Sequence, residues 1–397
     1  MNSLLTSGPQ THTDPAAQVG LVPEQSRAER RTSFEVADFP VPHGREEDWR
    51  FTPVDRLTAV LADEPGDSDA LTVEVSDPSV VGKPLAVGEA PRGTVLVPGD
   101  RASVVASAQS SKALHLKLAA DTEYDAPIRV AVHGAAGKRS TGHVVIEAGT
   151  HAKGLVIIEH TGSGEHTANV EIVVGDGANL TVVSLQQWDD DAHHLAQHEA
   201  QVGRDATYRH IAVTLGGAIV RLNSNVKYAG PGGEATLLGV YFADAGQHLE
   251  HRTFVDHNAP QCTSLVTYKG ALQGDSAHSV WVGDVLIRAE AEGIETYELN
   301  RNLVLTDGAR ADSVPNLEIE TGEIAGAGHA SSTGRFDDEQ LFYLQARGIP
   351  EVQARRLVVR GFFADVINKI GVPEVVDPLM AAIDEELAAS PEARANA

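Results

Sequence analysis

Between about residues 127 and 324 one pattern recurs and constrains the fold more than any other feature. Short runs rich in β-branched residues alternate with Gly-, Asp- and Asn-containing turns. The runs are Ile128–Val132, Val144–Ile146, Leu155–Ile158, Val170–Val174, Leu180–Leu185 and Tyr208–Val213. They continue through Val220–Val226, Leu237–Phe242, Leu265–Tyr268, Val280–Ile287, Leu303–Leu305 and Leu317–Ile319. The turns GDGAN, GRDAT, GPGGEAT and TDGARA separate them, and no helical period survives. A sandwich, a barrel and a β-helix all accept many short strands. The turns before Ala178, Ala206 and Ala235 recur at roughly 28 residues, a spacing in the range of repeat architectures. That favours a parallel β-helix, in which each coil stacks on its neighbours.

The flanks read differently. Residues 1–33 are rich in Thr, Ser, Pro, Gln and Ala without an apolar period and read as a disordered tail. Residues 34–126 mix turns with short apolar runs and read as an α+β region, with Trp49 as a core anchor in the run Glu46-Glu47-Asp48-Trp49-Arg50. The β-helix core is expected over 127–334 and a helical subdomain over 335–397.

Helix signals begin at Asp337, a good N-cap with Gln340 at the reciprocal position of a capping box. Leu341, Phe342 and Leu344 give an apolar side; Arg347 suits the last turn and Gly348 a left-handed cap. Pro350 marks the next helix start, with Val358, Phe362 and Val366 as its stripe. Asp377–Pro378 opens a last short helix with Leu379, Ile383 and Leu387 on one face, and SPEARANA reads as frayed. A solenoid must protect its open ends from edge pairing, and these helices are expected to cover one.

The net charge of −25 provides no basic run for phosphate neutralisation, so nucleic acid and anionic membranes are disfavoured as partners. One cysteine, Cys262, permits no intrachain disulfide and no thiolate cage for zinc or a cluster. No apolar run approaches the roughly 20 residues of a membrane span, and no secretion signal is present, so the expected location is cytoplasmic.

Catalytic motifs are missing. HGAAGKRS, from His133, fails as a phosphate-binding loop, because its first glycine is misplaced and Arg139 replaces Ser or Thr. His193, His194 and His198 lie beside Asp189, Asp190 and Asp191; they read as a polar loop between strands more readily than as a metal site. His248, His251 and His257 mix odd and even spacings and do not share one strand face. Cys262 reads as a small buried apolar residue. His329 follows a glycine-rich stretch and precedes the helices. On residues alone it is either a hydrogen-bonded turn histidine or one ligand of a shared metal site.

The segment from Val314 to Ile370 resembles the C-terminal signature of the SufB/SufD family of iron–sulfur cluster assembly scaffolds. The matching residues are Pro315, Leu317, Glu318, Ile319, His329, Asp337, Glu339, Leu341, Phe342, Tyr343, Leu344, Arg347, Gly348 and Ile349. Tyr268-Lys269-Gly270, Asn300-Arg301-Asn302-Leu303 and the Glu46–Arg50 run resemble further family segments. Asn300 stands about where SufB-type members carry cysteine, and Ala330 where they carry Glu. Both departures point to the SufD-type branch.

The resemblance implies a mainly β fold, a right-handed parallel β-helix with helical C-terminal elements. It implies a non-catalytic scaffold that pairs with SufB and docks the ATPase SufC, with sulfur arriving through SufB. His329 would help form a transient iron–sulfur cluster with a SufB cysteine at that interface. Phe342, Tyr343, Arg347 and Gly348 would belong to the SufC-docking region, or pack within the chain. Nucleotide would bind SufC and not this chain; flavin stays open, as does a homodimer without SufB. The rival classes are a β-helix carbohydrate-active enzyme, which the low aromatic content of 5% disfavours, and a structural β-solenoid.

Overall fold

A computed structural model describes residues 29–389, and the chain divides into units at Arg31. The unit from Thr32 onward carries the strands and helices of the fold. Most of the tail expected over 1–33, and the terminal SPEARANA, lie outside the described residues.

The strands in chain order are β1 (Leu71–Val75), β2 (Leu85–Ala86), β3 (Lys112–Leu118), β4 (Ile128–Gly134), β5 (Arg139–Ala148) and β6 (Lys153–Gly162). Next come β7 (Glu165–Val174), β8 (Asn179–Trp188), β9 (His193–Val202), β10 (Thr207–Thr214), β11 (Ile219–Tyr228) and β12 (Glu234–Ala243). The last six are β13 (His248–His257), β14 (Thr263–Leu272), β15 (His278–Ile287), β16 (Glu295–Val304), β17 (Arg310–Ile319) and β18 (Gly326–Arg335). Helix α1 (Arg101–Gln109) precedes β3; α2 (Asp338–Ala346), α3 (Glu351–Ile370) and α4 (Pro373–Ala389) follow β18.

From β3 onward successive strands alternate between two sheets. Each sheet has nine strands, one ordered β1-β4-β6-β8-β10-β12-β14-β16-β18 and the other β17-β15-β13-β11-β9-β7-β5-β3-β2. The pairings are parallel except β1 with β4 and β2 with β3. This is a parallel β-solenoid of about eight turns. The repeat seen in the sequence is real but its row shifts. Ala152, Ala178 and Ala206 stack, and the row continues through Gly233, Cys262 and Ile294 as each carbonyl accepts an N–H from the coil above. Ala235 lies two residues further along the strand, opposite Tyr208. Cys262 is fully buried in that row of mostly small side chains.

Period-2 alternation sends one set of side chains between the sheets and the other outward. On β12, Leu237, Tyr241 and Ala243 join the interior, while Leu238, Val240 and Phe242 join an outer cluster. That outer apolar face is covered by α3 and α4 through Val359, Phe363, Val366, Ile370, Leu379 and Ile383. The helices therefore lie on the face of the β18 sheet, and the expectation that they cover an open end is corrected. The buried stripe of α3 is centred on Val359 and Phe363, one residue beyond the expected Val358 and Phe362, which are half-buried. α4 begins at Pro373, earlier than Asp377, and keeps Pro378 inside it.

The other sheet is covered by the N-terminal segment. Trp49 sits in a one-turn helix, buried with Leu57, Val60, Leu61, Ala102, Leu195 and Ile219. The Arg221 guanidinium lies 4.1 Å above the Trp49 ring and donates to the Asp100 carboxylate at 2.5 Å. This outer face is polar where its opposite is apolar. Both faces are thus shielded; the sheets end at β1 and β2 on one side and at β17 and β18 on the other, where no further strand follows among the described residues.

Candidate functional site

β18 is the last strand of its sheet, and His329 lies on it, exposed. The sequence suggested a turn histidine; the glycines before it instead enter the strand. His329 stands opposite Glu298 of β16, Ser331 opposite Asn300 and Thr333 opposite Asn302. Neighbours in a parallel ladder share a face, so His329 occupies the row above a buried polar set in the last complete coil.

That set has two parts. Asn300 donates to Tyr241 Oη at 3.0 Å and accepts from Asn302 Nδ2 at 2.8 Å and Ser313 Oγ at 2.7 Å. Tyr241 Oη in turn donates to Asn302 Oδ1 at 2.6 Å. The network joins β12, β16 and β17 across the lumen. Glu298 is the opposite case: it is buried, and neither carboxylate oxygen has a hydrogen-bond partner. Burial, aided by the negative charge of Asp284, pushes its pKa well above the usual carboxylate range. Gly283 makes room for it, because a Cβ there would come within 2.9 Å of Glu298 Oε1 and 2.2 Å of the Trp281 ring. Glu298 was missed in the sequence. Its signal was polar residues at every second position of one strand, Thr296, Glu298, Asn300 and Asn302.

The second group lies on α2. The Asp337 carboxylate accepts the Glu339 N–H at 2.9 Å, as an N-cap should. The expected partner Gln340 has its side chain outside the described residues. Leu341 is buried, whereas Phe342 is 72% and Tyr343 55% exposed. Arg347 caps the helix just after its last turn and stacks on Tyr343, 4.4 Å from the ring centre. Gly348 follows with φ +85°, the left-handed conformation glycine tolerates. Phe342 and Tyr343 therefore contribute little to internal packing.

The remaining histidines separate. β9 begins at His193, so only the preceding residues form a loop, and the reading of all three as loop residues is corrected. His193 faces out to Glu165 at 2.9 Å, while His194 and His198 turn inward. His248 pairs with His278 at 3.1 Å on the outer side. His257 is buried against Tyr228 and bonded to Ser264 at 2.9 Å. Lys269 of the Tyr-Lys-Gly segment donates to the Phe362 carbonyl at 2.7 Å and pairs with Asp365, tying β14 to α3.

The fold is thus a parallel solenoid with covered faces, a β17–β18 end without a further strand among the described residues, and an exposed aromatic pair on α2. The chain belongs to the SufBD family: the sequence model described as "SUF system FeS cluster assembly, SufBD core domain" matches residues 131–362. An iron–sulfur cluster assembly SufBD family protein of Mycobacterium bovis is 52% identical over 370 residues, 91% of this chain and 93% of the relative. A Mycobacterium leprae SufBD family protein is 52% identical over 367 residues, covering 89% and 93%. The iron–sulfur cluster assembly protein SufD of Escherichia coli, a distant homologue, is 25% identical over 383 residues, 87% of this chain and 89% of the relative. No helix among the described residues is long and apolar enough to cross a membrane.

Proposed function

We propose that this chain is the SufD-type scaffold subunit of a cluster-assembly complex, pairing with a SufB through the β17–β18 end and docking a SufC ATPase through α2. The observation that carries this is the open end itself. β17 and β18 are each the terminal strand of a sheet, and the outward backbone groups of an edge strand are what a second solenoid end can pair. Ile319 at the end of β17 and Tyr297 on the neighbouring β16 are exposed. A monomer built to remain single would blunt such edges.

His329 stands in that interface. In the assembled pair its imidazole supplies one nitrogen to the iron–sulfur cargo while SufB supplies thiolate. This chain has no thiol there: its single cysteine, Cys262, is buried in another coil. Phe342, Tyr343 and Arg347 offer an aromatic and cationic knob for SufC, with Gly348 turning the chain behind it. ATP-driven dimerisation of SufC would shift the two solenoid ends, provided nucleotide-bound SufC prefers the shifted state. The scaffold reading leaves catalysis to SufC.

The test is reconstitution with SufB and SufC of the same organism. A stable three-component complex supports the reading, and failure to associate at low and moderate salt overturns it. His329→Ala should leave the complex intact and lower cluster yield several-fold. Full cluster content in that variant complex would remove His329 from the assembly site.

A further inference from the structure

Far from the open end, three histidines meet inside the solenoid. His160 comes from β6, His166 from β7 and His194 from β9, and all three are nearly inaccessible, at 4%, 4% and 1% exposure. Register brings them together. His166 and His194 stand opposite each other in neighbouring strands of one sheet, and His160 arrives from the other sheet just before the turn at Gly162. One ring nitrogen from each lies within 4.8 Å of the other two. The ring centres are 4.8, 4.9 and 6.2 Å apart, and the Trp188 indole closes one side.

Surrounding polar groups hold the rings in place. His160 Nδ1 is 3.3 Å from the Leu185 carbonyl oxygen, and His166 Nδ1 is 2.8 Å from Ser140 Oγ. His194 Nδ1 is 2.6 Å from Gln186 Oε1, which also accepts the Trp188 indole N–H at 2.8 Å. The Trp188 indole N–H also points at His194 Nδ1, at 3.1 Å, and Gln186 Nε2 lies 3.2 Å from His160 Nδ1. In the tautomer with the proton on Nδ1, the other nitrogen carries the lone pair. This is how imidazoles are held when they ligate metal. His194 Nε2 is wholly buried with no hydrogen-bond partner. An unpaired polar atom in the interior is costly unless something binds it.

We propose that His160, His166 and His194 form a buried binding site for a late first-row transition-metal ion of the zinc type. The site ties the two sheets together across the lumen. Three neutral imidazoles and no carboxylate suit zinc, copper or nickel and not calcium or magnesium. A tetrahedral ion with bonds near 2.0–2.1 Å needs its nitrogens roughly 3.3 Å apart, so binding draws the triangle inward by about 1.5 Å. The fourth position is left for water or an anion. Because the site is closed, loading accompanies folding or a local opening. The site is separate from the proposed SufB and SufC interfaces and stands without them.

The test uses the full chain, unfolded and refolded with and without Zn²⁺, then freed of loose metal. The expected result is one retained zinc per chain and a higher melting temperature than the metal-free protein. His166→Gln and His194→Gln should lose both, while His151→Ala, at an exposed histidine, should keep them. Co²⁺ loading should give the intense visible bands of a tetrahedral site, with a nitrogen-rich shell by X-ray absorption. That measurement on the unmutated chain decides the matter where a variant fails to fold. No retained metal, or retention unchanged in both glutamine variants, would overturn the site.

Discussion

Glu298 and Asn300 sit two residues apart on one strand face, yet their surroundings differ. Asn300 is satisfied by four neighbours, and Glu298 by none. Leaving a buried polar group without a partner costs about 1–3 kcal/mol. Glu298→Met keeps the volume and removes the unpaired oxygens. It should raise the melting temperature by a few degrees at neutral pH, on the scale of ~2–4 °C per kcal/mol for a large domain. Calorimetry checks this, and a lower melting temperature would mean that the carboxyl has a partner such as a bound water.

The elements divide into those that hold the chain together and one that does not. α3 and α4 cover Ile157, Val183, Ile211, Leu238, Val240 and Phe242, so removing everything after Gly334 would bare that face. Such a truncation would lose partner binding through misfolding as readily as through lost contact. α2 allows a cleaner experiment. Replacing Phe342 and Tyr343 together by Ala should weaken SufC binding at least tenfold by titration calorimetry. Stability should stay within about 0.5 kcal/mol, as for surface changes generally. Unchanged affinity would move the docking surface elsewhere, whereas Phe363→Ala, in the buried stripe, should cost about 3–5 kcal/mol. The α2 caps were legible because Asp337 and Gly348 act through local backbone geometry. On α3 Val366 was read correctly, but Val358 and Phe362 lie one residue short of the buried Val359 and Phe363, because the four-residue spacing fits neighbouring stripes equally well and only the sheet beneath chooses between them.

For the whole solenoid, the β-branched runs and their turn spacing were enough to read the architecture, since stacking demands both. The direction in which the helices pack was not legible, because an apolar helix face fits a sheet end or a sheet face alike. Nor was β9, whose His193, His194 and His198 read as a loop although the lumen accepts His194 and His198. That polar lumen gives the molecule a characteristic pH response. Burial lowers the pKa of His210 to about 4 and of His257 to about 3. It also lowers that of His251 to about 3, against a partial upward pull from Glu250. Unfolded, each titrates near 6.5, so the unfolded chain binds more protons as pH falls from there toward 3–4. Stability should therefore fall with decreasing pH through that window, by up to about 1.4 kcal/mol per pH unit for each histidine. Glu250 acts in the same sense: burial raises its pKa, but the His248 hydrogen bond and the charges of Arg221 and Arg252 outweigh this and hold it well below the usual range. Denaturant melts from pH 7 to 4.5 check the slope, and a flat profile would mean that these side chains are solvated.

In the proposed complex a second scaffold subunit binds at the β17–β18 end, and amide hydrogen exchange reads that contact directly. Exchange of this chain should be compared alone and with an excess of SufB. Slowed exchange confined to residues 310–335, with β3 to β13 unchanged, is the predicted result. Protection elsewhere, or none in that segment within a complex that does form, would contradict it.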